Sequence, residues 1–201
     1  FIFVCFNQPY KINPPLFDCW MRLLQQIPGS VLWLREFNPW SVDNLRREAE
    51  KRGIAGTRLV FAPRVPDPVE HAARYRVADL ALDTYPYPSG STGWDTLSAG
   101  CPMLCRVGQI SLARLAGSML THVGLPDLVT HSLEEYEQLA LALATNPARL
   151  AAIRLRLQEN LPTAPLSDAP LCARHLEKAY WAMWQRFQAG LAPDHIQITP
   201  C

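Results

Sequence analysis

Apolar and polar positions follow two regimes along this chain. In the first, short continuous apolar runs alternate with stretches of helical spacing. Phe1 to Phe6 is unbroken apolar, and Leu16, Phe17, Trp20, Leu23, Leu24 and Ile27 then recur at helical intervals up to Pro28. Ser30 to Leu34 reads as the next strand, and Asp43 to Arg52 as a polar helix stopped by Gly53. The same alternation gives a strand over Arg58 to Ala62, a helix over Asp67 to Val77 and a strand over Leu80 to Leu82. A helix over Thr92 to Ala99, a strand over Pro102 to Cys105 and a helix over Ile110 to Val123 complete it. Strands apolar on both faces, each followed by a helix, predict an α/β fold with a parallel sheet covered on both sides.

The second regime, after Leu128, is helical throughout. Ser132 with Glu135 three residues on forms a capping-box signature. Helices run to Asn146, to Asn160 and, after a proline-rich stretch read as an extended connector over Leu161 to Pro170, on to Gln188. The final helix carries Leu171, His175, Tyr180, Met183, Trp184 and Phe187, a stripe expected to pack on a core. Trp181 or Trp184 is expected to rest on this domain or on a neighbouring one. The division expected is a core over 1–130 and helices over 131–201 that pack on it.

Composition changes this picture little. The chain has 201 residues, 49% of them hydrophobic and 18% charged, which suits one globular core. A net charge of +1 speaks against a general nucleic-acid surface. No apolar run approaches the roughly 20 residues that span a bilayer, so no membrane partner is expected. Cys5, Cys19, Cys101, Cys105, Cys172 and Cys201 follow no repeating spacing; Cys101 and Cys105 lack the CxxC and histidine partners of a zinc site. They read as small buried hydrophobes in a reducing cytosol, and the expected location is cytoplasmic. The chain starts without Met at the first residue of a strand, as an excised piece of a longer protein would.

The chemistry sits in the loops that follow strands, because ligands of open parallel sheets bind beyond the strands' carboxyl ends. After the first strand come Gln8 and Lys11. After the third come Pro63 to Pro68, whose prolines leave the Val65 amide and carbonyl as rigid hydrogen-bonding groups, and then His71 and Arg74 on one helix face. After the fourth come Gly90, Ser91, Thr92 and Gly93, with Asp95 in the first turn of the ensuing helix. Small residues and hydroxyls at a helix start serve either as a cap, through Ser91 or Thr92, or as a cradle for an anion. Together the loops offer what a nucleoside diphosphate uses: amides and Lys11 for phosphate, Asp95 for ribose, His71 and Arg74 for the base.

FNQPYKINP, SVLWL, RLVFAP, EHAAR, ADLALDT, TGWDTLSAGCP and ARHLEKAYWAMWQRF with AGLAPDH resemble, in order and over the whole chain, the carboxyl-terminal catalytic half of the O-linked N-acetylglucosamine transferases, the SPINDLY-like family. The resemblance implies the carboxyl-terminal Rossmann-like half of a two-domain (GT-B) glycosyltransferase. It further implies UDP-N-acetylglucosamine as donor, inversion without a metal or other cofactor, and a protein Ser or Thr hydroxyl as acceptor. It assigns Gln8 and Lys11 to the phosphate side, Lys11 with a catalytic part in stabilising the leaving group. Val65, His71 and Arg74 go to the nucleoside, Gly90, Ser91 and Thr92 to the phosphate-binding turn, and Asp95 to the ribose. Gly90 stands where animal-type members have a histidine, and the loop at Asp67 and Pro68 has one extra residue and lacks a lysine. These departures keep open another donor such as GDP-fucose, or a non-catalytic nucleotide-sugar-binding or protein-interaction module. An epimerase of similar architecture is a third reading. The amino-terminal half and the tetratricopeptide repeats that contact acceptors in the family lie outside this sequence, so the chain alone is expected to be inactive.

Overall fold

The computed structural model describes residues 1–199; the Cys201 assignment lies outside them. Six parallel strands stand in the order β3-β2-β1-β4-β5-β6. They are β1 (Ile2–Cys5), β2 (Val31–Arg35), β3 (Leu59–Ala62), β4 (Leu80–Leu82), β5 (Met103–Arg106) and β6 (Val129–Thr130). The helices are α1 (Pro14–Gln26), α2 (Pro39–Glu50), α3 (Pro68–Tyr75), α4 (Ser91–Ser98), α5 (Leu115–His122), α6 (Leu133–Ala144), α7 (Pro147–Asn160) and α8 (Ala169–Gln188). Phe3 pairs with Leu32 on one side and Leu80 on the other, so β1 and β4 are the central pair. Phe3, Val4 and Cys5 are buried in succession, as are Leu80, Ala81 and Leu82. Successive strand residues point to opposite faces, so both faces of the sheet are covered. The Rossmann-like α/β architecture is thus the one expected.

Chain reversal occurs between β1 and β4. After β1 the chain winds outward through β2 and β3, then returns to β4 and winds the other way. The loops that follow β1 and β4 therefore diverge over one crevice, the switch point where such sheets bind ligands.

Local chemistry explains where the elements start. Asn13 accepts a hydrogen bond from the Leu16 amide at 3.1 Å and precedes Pro14, which needs no amide partner. α2 begins at Pro39, earlier than the expected Asp43, because Asn38 and Ser41 cap it reciprocally. At α6 Ser132 caps the Glu135 amide as expected, but the Glu135 carboxylate accepts from the amide of His131 instead of that of Ser132. The strand Val129–Thr130 is absent from the sequence-based assignment; two residues are too few for any period. The region read as an extended connector holds two 3-10 turns, Leu161–Thr163 and Pro165–Ser167, and α5 starts after a 3-10 turn at Leu112–Arg114.

The final helix departs most from expectation. α6 and α7 bury Tyr136, Ala140, Leu143, Leu150, Ile153 and Leu157, but α8 buries no side chain. Trp181 and Trp184 are 62% and 48% exposed. The aromatic stripe does not pack on the core, because α8 leaves the body of the domain at the turn Pro165–Ser167.

Candidate functional site

The loop after β4 folds back over its own strand end. Asp83, the first residue beyond β4, is buried, and its Oδ1 accepts hydrogen bonds from the Ser89 amide at 2.8 Å and from Asn7 Nδ2 at 3.1 Å. Asn7 Nδ2 also donates to Thr84 Oγ1 at 2.8 Å, and Thr84 donates to the Tyr87 carbonyl at 2.7 Å. A buried tyrosine completes the support: Tyr136 donates to the Asp83 carbonyl at 3.0 Å and accepts from Trp20 Nε1 at 3.3 Å. Tyr85-Pro86 is cis within this loop.

Lys11 spans the crevice. Its Nζ donates to the Pro88 carbonyl at 2.9 Å and lies 4.0 Å from the centre of the Tyr87 ring. Partial burial lowers its pKa, while the charge of Asp83 works to raise it. The ammonium is thus held at the edge of the turn that leads into α4. Gln8 precedes it on the same arm, with its Oε1 buried and unpartnered among the described residues.

α4 starts at Ser91 with Gly90 as its cap residue and no side-chain cap. Its first internal bonds run from the Gly93 and Trp94 amides to the Gly90 carbonyl. The amides of Ser91 and Thr92 donate to no acceptor among the described residues. The capping alternative for Ser91 or Thr92 is therefore corrected: neither hydroxyl caps the helix, and the turn leaves two N–H groups at a positive helix end. A Cβ at Gly93 would lie 2.6 Å from Ser89 Oγ, so glycine is required there by packing within the chain. Asp95 is the fifth residue of α4, beyond the first turn in which it was expected.

The side of the crevice that carries Val65, His71 and Arg74 has a shape of its own. A cleft of about 180 Å³ is lined by Phe6, Arg35, Ala62, Pro63, Arg64, Val65, His71, Arg74 and Thr92. Val65 offers an amide and a carbonyl with no partner among the described residues. Arg74 Nη1 donates to the Pro63 carbonyl at 2.7 Å and ties α3 to that loop. The His71 ring lies 5.8 Å from Phe6 and 5.5 Å from Tyr75, centre to centre. Burial pulls its pKa below the ordinary histidine value, opposed by Asp95 and assisted by Arg74 and Arg35. The shift favours the uncharged ring, which can stack or hydrogen-bond.

Four of the expected residues, Val65, His71, Arg74 and Thr92, thus share one cleft. Gln8 and Lys11 sit on the arm beside it, and Lys11 reaches the loop that carries Gly90 and Ser91. Asp95 does not line the cleft, although its charge acts on His71. Arg35, Arg64 and Asp83 were not singled out from the sequence. Arg35 ends β2, where the rule that directs attention to strand carboxyl ends would have found it. Cys5, Cys19, Cys101 and Cys105 are buried and unbridged, as expected. Burial pushes the Cys5, Cys19 and Cys101 thiols up to about 12, so they stay protonated and inert. Cys172 is exposed instead, on the outlying α8. No helix among the described residues is long and apolar enough to cross a membrane.

A parallel sheet of this order with a polar crevice at its switch point belongs to the Rossmann-like class. Comparison with known proteins narrows the class. The glycosyl transferase family 41 model matches residues 1–176, and the chain belongs to that family. It is 35% identical over 199 residues to a probable UDP-N-acetylglucosamine–peptide N-acetylglucosaminyltransferase SEC of Arabidopsis thaliana, covering 98% of this chain and 20% of the relative. A probable UDP-N-acetylglucosamine–peptide N-acetylglucosaminyltransferase SPINDLY of barley (Hordeum vulgare) is 32% identical over 195 residues, 95% of this chain and 21% of the relative. A mutant O-GlcNAc transferase of Thermobaculum terrenum superposes with a TM-score of 0.86 at 34% identity, covering 91% of this chain and 36% of that one. The chain spans about a fifth of the length of the curated relatives it matches.

Proposed function

We propose that this chain is the donor-binding half of an inverting, metal-independent protein O-glycosyltransferase that takes UDP-N-acetylglucosamine and transfers the sugar to Ser or Thr hydroxyls. Membership of family 41 and the peptide N-acetylglucosaminyltransferase names of its relatives support the donor and the acceptor class. One observation carries the assignment to this half: the Lys11 ammonium, 2.9 Å from the Pro88 carbonyl, flanks a helix start whose Ser91 and Thr92 amides are unpaired.

In an inverting transfer the acceptor oxygen attacks the anomeric carbon as the bond to the diphosphate breaks. Negative charge then grows on the leaving phosphate. With no metal, it is met by the Lys11 ammonium, the two amides and the α4 dipole, all already in place. The neutral His71 ring and the free Val65 amide and carbonyl take the base, and Asp95 takes the ribose. Gln8 assists the phosphate arm. The groups that receive and deprotonate the acceptor belong to the remainder of the parent protein.

Calorimetric titration of the 201-residue chain with UDP, UDP-N-acetylglucosamine and GDP-fucose, in the presence of EDTA, tests the proposal. Both uridine nucleotides should bind, and GDP-fucose more weakly. Lys11→Ala should lose roughly 1.5–3 kcal/mol of UDP binding, the range for a hydrogen bond to a charged group. Its melting should stay within about 0.5 kcal/mol of wild type. Unchanged UDP affinity in that variant removes Lys11 from the phosphate site, and preference for GDP-fucose replaces the donor. The chain alone should transfer no sugar to protein.

A further inference from the structure

Beneath the proposed diphosphate site lies a carboxylate that does not line the cleft. Asp83 is 2% exposed and lies between two arms. One is the β1 arm, where Asn7 is followed at once by Gln8 and then by Lys11. The other is the β4 loop, where Ser89 is followed at once by Gly90, Ser91 and Thr92. A single oxygen, Oδ1, accepts from both, at 3.1 Å from Asn7 and 2.8 Å from the Ser89 amide. Its partner Oδ2 is buried with no hydrogen bond among the described residues. Tyr136 fixes the Asp83 backbone from α6 through its carbonyl.

Burying an incompletely partnered carboxylate opposes folding. Burial pushes the Asp83 carboxyl up to about 6, with the Ser89 and Asn7 bonds working against the rise. An apolar side chain in the same space would avoid that penalty but could not bond to both arms. Groups held where they weaken the fold concentrate at functional sites.

We propose that Asp83 is a positioning residue for the nucleotide diphosphate: through Oδ1 it sets the spacing between the Gln8–Lys11 arm and the Gly90–Thr92 turn. This rests on the donor-site assignment above. A shift of the turn by even a fraction of an ångström misaligns the amides and the ammonium together, because both are then aimed at the same oxygens from displaced positions. Acceptor geometry at Oδ1 performs this task. An asparagine in its place keeps that oxygen, whereas an alanine removes it.

UDP affinity of the 201-residue chain is measured calorimetrically for wild type, Asp83→Ala and Asp83→Asn at a temperature where each is folded. Asp83→Ala should weaken UDP by about tenfold, a difference of about 1.4 kcal/mol, while Asp83→Asn restores affinity to near wild type. Rescue by the isosteric amide is a readout that loss of fold stability alone would not produce. Should Asp83→Ala not fold, Asn7→Ala removes the other bond to the same oxygen and should weaken UDP in the same direction. Wild-type affinity in the alanine variant, or equal weakness in the alanine and asparagine variants, overturns the positioning role and leaves the donor site standing. Failure of the wild-type chain to bind UDP overturns both.

Discussion

Two helices carry the same kind of stripe, and only one is buried. α1 places Leu16, Phe17, Trp20, Leu23 and Leu24 against the sheet and α6, each no more than 3% exposed. α8 repeats the spacing with Tyr180, Met183, Trp184 and Phe187, and leaves all of them exposed. The residue types do not distinguish them, since each has tryptophan, methionine and further aromatic side chains on its apolar face. Connection does. α1 lies between two parallel neighbours, β1 and β2, and a crossover between such strands must run back over a sheet face. α8 follows α7 and a pair of 3-10 turns, and among the described residues no strand comes after it, so no crossover holds it to the sheet. An amphipathic pattern therefore specifies a helix and an apolar side, but the surface that covers that side is settled by topology.

Substitution at the two tryptophans should widen this contrast to its limit. Trp20→Ala should destabilise by about 3–5 kcal/mol, the usual range for a buried large aromatic, and it also removes the donor to Tyr136. Chemical denaturation of both forms checks it, and a loss below 1 kcal/mol would place Trp20 with the exposed set. Trp184→Ala should change stability by no more than about 0.5 kcal/mol. A larger loss would mean that α8 is held to the domain in solution.

Between these extremes lies the pH dependence of the loops that Asp83 joins. The Asp83 carboxyl is raised from 3.8 to about 6, so the folded state holds its proton more tightly than the unfolded state. Its contribution to stability is therefore greatest below 3.8, falls as pH rises to about 6 and is level above that. The charged or titratable groups acting on it are Lys11, Cys5, Cys105 and Tyr136; burial keeps the two thiols and the phenol protonated through this window. Asp83→Asn should remove that fall, a difference in slope of up to about 1.4 kcal/mol per pH unit. Urea titrations of both forms across the window measure it, and parallel profiles would show that the carboxylate does not titrate there.

The loops of the site were legible because the sheet is parallel. Alternating apolar and helical runs located each strand end, and the carboxyl-end rule then pointed to Gln8, Lys11, Val65, His71, Arg74 and the turn at Gly90 to Thr92. The packing need at Gly93 was not legible, because spacing along a chain cannot say which neighbour a glycine approaches; here it is Ser89 of the same chain. Asp83 escaped notice for a related reason: ADLALDT marks a strand end, but the bond to Asn7 joins residues 76 apart in sequence.

By itself the sequence determined the alternation of strands and helices, the helix start at Ser132, the loops that bear the candidate chemistry and the family resemblance. These are local properties, set by side-chain period, caps and residue type within a few positions. Tertiary structure alone decided that β1 and β4 are neighbours, that Lys11 meets the Pro88 carbonyl, that one oxygen of Asp83 joins two arms, and that α8 stands uncovered. Each of those depends on which distant segments meet, and that follows from strand order and crossover, which no local pattern encodes.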